Sequence, residues 1–217
     1  MSIHSAAMAG DPAAVRAALA AGADVCELDD YDNSVLHLLA AYGHGRGDRW
    51  DFVAEQDTLG AVDDLELAPR LTETAALLLA AGAATLLEAE NSYEKTPVAE
   101  ACVHGNLTVA SFLIAAGAST DAVDTDGWPL LHAGAKHGHP DVCRLLLQHG
   151  ADVNALHCGL SALHSTASSV WRVRAGEVAR VLIEAGVAVQ LADDEGKTAA
   201  NLAAATGWAE AEQKCFI

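Results

Sequence analysis

Hydrophobic and polar positions along this chain fall into recurring blocks of two lengths. Five apolar stretches, VRAALA, TAALLLA, VASFLIA, VCRLLLQ and VARVLIE, space their large residues as one face of a helix requires. Each runs into a glycine: Gly22, Gly82, Gly117, Gly150 and Gly186. Glycine closing a helical stretch is the left-handed cap that a Cβ would disfavour. Shorter stretches precede these: SVLHLLAAYGH, TPVAEACVHGN, PLLHAGAKHGH, SALHSTAS and TAANLAAATGW, whose small residues suit a helix pressed against a neighbour. Polar turns rich in Asp and Gly, such as DDYDN, DTDG and DDEG, separate the units. The pattern predicts turn, short helix, turn, longer helix and glycine stop.

The glycine stops lie 60, 35, 33 and 36 residues apart, so the first gap holds an extra segment within a repeating unit. The expected units are 1–28, 29–90 with an insertion at 44–70, 91–123, 124–155, 156–192 and a terminal cap at 193–217, all in one domain. A single unit cannot bury its own apolar face, so stacked neighbours supply the core. The closing WAEAEQKC replaces leucines with alternating Ala and Glu, as a solvent-facing cap helix should.

These units resemble the ankyrin repeat. The motif D-x-x-G-x-T-P-L-H-x-A-A-x-x-G-H, followed by an apolar helix and G-A-D-V-N, is matched best by residues 124–155 and, with departures at Ala99 and Asn201, by nearly the whole chain. The resemblance implies an all-α solenoid of stacked helix-turn-helix units with short β-turn or hairpin fingers. It also implies that His37, His132 and His164, at the motif histidine, are structural hydrogen-bonders. The fold itself hosts many unrelated partners.

In ankyrin-like stacks the turn tips and short first helices line the concave face. Carried over unit by unit, the variable positions there are Tyr31, Asn33 and Tyr42; Tyr93, Lys95 and His104; Asp126, Trp128, Lys136 and His137; and His157 and Leu160. All three tyrosines and Trp128 thus share one expected surface, and Tyr and Trp are enriched at binding hot spots. The 44–70 insertion, with Arg49, Trp50 and Phe52, and a smaller expansion with Trp171 and Arg172 each set Trp beside Arg and offer further contacts.

Composition sharpens this picture. Alanine supplies 47 of 217 residues and aromatics only 5%, which favours closely stacked helices over a core of large side chains. A net charge of −18 argues against nucleic acid and for a partner protein with a basic surface. Five scattered cysteines, no basic-led signal segment and no long apolar run suggest a soluble, cytoplasmic chain with free thiols, monomeric on its own.

Ten histidines raise the question of a metal, but no set shows fixed ligand spacing, and no metal or other cofactor is expected. Cys158 beside His157 is the one suggestive nucleophile–base pair; adjacent residues on a turn tip generally point apart, so no catalytic residue is assigned. Asn154 resembles the asparagine hydroxylated in some eukaryotic ankyrin proteins. The reading is a non-catalytic module that binds a partner protein through the acidic concave face. The alternatives are an inhibitor or immunity-type protein neutralising a basic toxin or enzyme, and a regulatory or accessory subunit acting through the 44–70 insertion.

Overall fold

Among the described residues twelve glycines adopt positive φ, and the five predicted helix stops are among them, at φ between 85° and 113°. At Gly22, Gly117, Gly150 and Gly186 an added Cβ would meet nothing within 4 Å. Backbone conformation, rather than crowding, therefore demands glycine there.

The structure, a computed structural model, describes residues 2–42, 67–123, 127–169, 172–208 and 216. The chain forms two compact units, Met1–Ser119 and Thr120–Ile217. The first contains α1 (Ile3–Met8), α2 (Pro12–Ala20), α3 (Val35–Tyr42), α4 (Leu67–Ala80), a 3-10 turn at Ala83–Leu86, α5 (Pro97–His104) and α6 (Leu107–Ala115). Within it α1, α3 and α5 pack side by side, and α2, α4 and α6 form a second layer behind them. The second unit contains α7 (Leu130–Lys136), α8 (Pro140–Gln148), the hairpin β1 (Leu156–His157) and β2 (Leu160–Ser161), α9 (Ala162–Ala167), α10 (Arg172–Glu184) and α11 (Ala199–Ala205). There α7, α9 and α11 pack in series, backed by α8 and α10. The fold is all-α with short fingers between hairpins. No described helix is long and apolar enough to cross a membrane.

Each unit buries its core between its two helical layers. Leu36, Leu39, Leu78 and Leu113 fill the first, and Leu130, Leu131, Leu146, Leu163 and Leu182 the second. Each such side chain stabilises the fold by about 1.5–3 kcal/mol, and fully buried alanines let the helices approach closely. Prolines at the first helical position and side-chain caps start the helices: Asp11 accepts from the N–H groups of Ala13 and Ala14, and Thr96 from that of Ala99.

The motif histidines fasten neighbouring repeats. In His37 the Ser34 N–H donates to Nδ1 at 3.1 Å, and a carbonyl, that of Lys95, lies 2.8 Å from Nε2. An amide can only donate and a carbonyl only accept, so the ring is neutral with its proton on Nε2. His164 repeats the arrangement with Ser161 N–H and the Lys197 carbonyl. In the departing last repeat, Asn201 keeps the capping half alone: its Oδ1 accepts from the N–H and hydroxyl of Thr198.

Two sequence expectations change. Helix α4 begins at Leu67, so residues 67–70, assigned to the insertion, are helical, and Arg70 Nη2 donates to the carbonyls of Ala9 and Gly10. The rest of that insertion, with Arg49, Trp50 and Phe52, lies outside the described residues, as does most of the closing WAEAEQKC. Its first residue, Trp208, is not solvent-facing. It is buried, donates Nε1–H to the Ala167 carbonyl at 3.2 Å and meets the Phe216 ring edge-on at 5.1 Å. Its indole N–H caps the last carbonyl of α9, which fixes the ring against that neighbouring helix.

Candidate functional site

The turn tips of the first unit are built by side chains that imitate backbone turns. Asp29 Oδ1 accepts from the N–H groups of Tyr31 and Asn33, and Asn91 Oδ1 accepts in the same way from Tyr93 and Lys95. Burial acts to raise the Asp29 carboxyl, but the Asn33 amide and these backbone donors outweigh it and hold it below the usual range. The two tips are joined to each other: Ser92 N–H donates to the Tyr31 carbonyl at 2.9 Å, and Ser92 Oγ donates to Asp32 Oδ2 at 2.7 Å. Tyr31 and Tyr93 therefore stand side by side, their rings 6.4 Å apart and inclined by 19°. They remain 58% and 52% exposed.

Behind this ledge lies a polar cluster that includes a nearly buried carboxylate. Asn33 Oδ1 accepts from Asn91 Nδ2 at 2.8 Å, and the same nitrogen lies 3.3 Å from Glu100 Oε1. Lys95 Nζ approaches Glu100 Oε1 at 3.7 Å, and His104 Nε2 lies 3.3 Å from Glu100 Oε2, one helical turn along α5. Burial pushes Glu100 upward, but the His104 hydrogen bond, the Lys95 charge and the Asn91 amide together hold it below its ordinary value. Asn33, Lys95 and His104, expected to face a partner, are thus partly engaged within the molecule.

In the second unit Trp128 is half-buried. Its ring packs 4.5 Å from His157 and 5.6 Å from His132, with Lys136 Nζ 5.8 Å over its face. Gly127, at φ 78°, lies against the His157 ring, which a Cβ there would meet at 3.1 Å. The tryptophan is therefore clasped between successive fingers rather than held fully outward. His132 Nε2 donates to the Leu160 carbonyl at 3.0 Å, and His137 stacks on His139. Pro129 stands where other repeats carry a Ser or Thr hydroxyl, so α7 has no side-chain cap.

The expectation that Cys158 and His157 point apart is overturned: Cys158 Sγ lies 3.2 Å from His157 Nε2. Leu156 occupies the place of Asp29 and Asn91 and cannot close an Asx turn. The chain instead reverses through a two-residue hairpin, Cys158 at φ 49° and Gly159 at φ 73°, which turns the thiol back over its neighbour. Cys26, Cys102, Cys143 and Cys158 are free thiols, and burial alone pushes Cys102 up to about 12.

Asn154 is structural in its contacts, its Oδ1 accepting from Ala188 N–H at 2.8 Å. Asp126 and Trp171 lie outside the described residues, and Tyr42 and Arg172 are placed only as helix positions. Sequence reasoning missed Glu100. A lone acid in the small-residue stretch TPVAEACVHGN, four residues before a histidine, was its signal.

Residues 68–157 match a family model described as ankyrin repeats in three copies, and residues 3–47 one described as ankyrin repeats in many copies. Rabankyrin-5 of Homo sapiens is 30% identical over 109 residues, which span 46% of this chain and 9% of that protein. RelA-associated inhibitor of Mus musculus is 38% identical over 60 residues, 28% of this chain and 7% of that protein. The chain therefore spans under a tenth of the length of either relative. The crystal structure of an ankyrin repeat domain from Acinetobacter baumannii AYE superposes with a TM-score of 0.71 over 99% of this chain and 95% of that one, at 20% identity.

Proposed function

The chain belongs to the ankyrin-repeat family, and from that premise we propose that it is a non-catalytic module that binds another protein through the turn tips of its first unit. One observation carries the reading. The polar groups at the base of those tips are occupied in holding the repeats together, whereas Tyr31 and Tyr93, the largest side chains there, stay more than half exposed. Folding gains little from rings left in water, and such rings are the residue types that anchor interfaces. The partner presents a basic surface, since the net charge is −18 and Asp30, Asp32, Glu90 and Glu94 lie close to the two tyrosines in the chain. Trp128 and His157 form a corresponding contact in the second unit.

A second reading is inhibitory or regulatory use of the same surface. It draws on the acidity of the tips and on the likeness to a protein named RelA-associated inhibitor. Both readings are tested by immobilising the full chain and its Tyr31→Ala/Tyr93→Ala variant as paired baits. The expected outcome is a protein retained more than about tenfold better by the unaltered chain, with unchanged thermal unfolding of the variant. Equal retention by both baits removes this surface from the account.

A further inference from the structure

The ledge formed by Tyr31 and Tyr93 has a shape and a charge that together select one kind of side chain. Resting on the binding reading above, we infer that this pair is a subsite for an arginine of the partner protein, the guanidinium lying flat on the rings and bonded to the flanking carboxylates.

Three observations lead there. The rings are close to parallel, inclined by 19°, with centroids 6.4 Å apart, so a flat group can lie parallel to both aromatic faces at once. A planar, weakly hydrated guanidinium stacks on such a face, whereas a compact ammonium keeps its water. The rings are also set in advance. Ser92 bonds the Tyr31 carbonyl and the Asp32 carboxylate across the two tips, and each tip is closed by its own Asx turn, so little backbone ordering remains for binding.

The charge beside the rings is mainly negative. Tyr31 lies between Asp30 and Asp32 in the chain, and Glu94 follows Tyr93. Among the described residues no salt bridge involves Asp30, Asp32, Glu90 or Glu94, and the nearby cation, Lys95, is drawn inward to Glu100. Carboxylates beside an aromatic face complete a guanidinium's fork of donors, which an ammonium cannot match in the same geometry.

Short peptides carrying either two arginines or two lysines, otherwise identical, test the subsite when titrated into the full chain with the tyrosine ring resonances followed by NMR. The arginine peptide is expected to shift both ring signals and to bind at least about threefold more tightly than the lysine peptide. Tyr31→Phe/Tyr93→Phe should keep that preference, and Tyr31→Ala/Tyr93→Ala should erase it while leaving the circular dichroism unchanged. Equal affinity for the two peptides, or a preference that survives loss of both rings, overturns the inference. The outcomes separate from those of the capture experiment. A partner lost from the double-alanine bait, without any arginine preference, ends the subsite but leaves the binding surface standing. An arginine preference together with a partner equally retained by both baits does the reverse.

Discussion

At the scale of single residues, the polar groups of the first unit carry a pH dependence whose sign follows from their surroundings. Burial lowers His37 from its ordinary 6.5, only partly offset by the Lys95 carbonyl, so the folded chain favours the neutral ring. The unfolded chain binds a proton as pH falls below about 6.5 while the folded chain resists it, so stability present above that pH is lost on acidification. Glu100 and Asp29, both held low, act in the same direction further down: their contribution is present above the ordinary carboxylate range and is lost as pH falls through their folded values. His37→Asn tests the upper step, because Asn201 shows that asparagine serves the cap at this position. The variant should melt about 2–4 °C lower at pH 7, having lost the bond to the Lys95 carbonyl, and should show a shallower fall between pH 7 and pH 5. Thermal melts across that range check it, and an undiminished pH slope assigns the step elsewhere. The motif histidines were legible as hydrogen-bonders because one residue at one register does the work. Glu100 was not, since its partners Asn91, Lys95 and His104 converge from a turn and a helix that the pattern treats separately.

At the scale of elements, the fingers show which turn each short sequence can form. Gly127 and Gly196 take the positive-φ position of their turns, whereas Asp32, at φ 57°, and Glu94, at φ 51°, occupy the same place with side chains. A left-handed non-glycine residue costs about 1–2 kcal/mol, though glycine gives part of this back through its freedom in the unfolded chain. Glu94→Gly should therefore raise the melting temperature by about 2–4 °C, and Gly196→Ala should lower it by a similar amount. Calorimetry of the two variants decides, and a destabilised Glu94→Gly contradicts the strain argument. That acids rather than glycines sit beside both exposed tyrosines fits a surface where stability yields to binding. Helix ends and the order of elements were readable from glycine spacing, whereas the caps at Asp11, Thr96 and Ser161 emerge only with the structure. The Cys158–Gly159 hairpin was hidden, because what changed the turn was Leu156 in a place where an acceptor side chain is usual.

At the scale of the whole molecule, the chain forms two compact units of stacked hairpins with a net charge of −18, and the proposed function uses that field to draw a basic partner and the tips to fix where it docks. Fold class followed from a period and a handful of glycines, since stacking repeats a single local solution. The candidate surface was less legible: aromatic residues can be counted in a sequence, but whether they pack together depends on contacts such as Ser92 to Tyr31, made between turns about sixty residues apart in the chain. Trp128 illustrates the difference, for the same reasoning that places Tyr31 in the open does not foresee His157 closing over the tryptophan. The most direct measurement is hydrogen–deuterium exchange of the chain alone and with its captured partner. The account predicts new protection centred on residues 29–33 and 91–95, with the outer helices α2, α4 and α6 unchanged. Protection confined to those helices, with both tips exchanging as before, would contradict it.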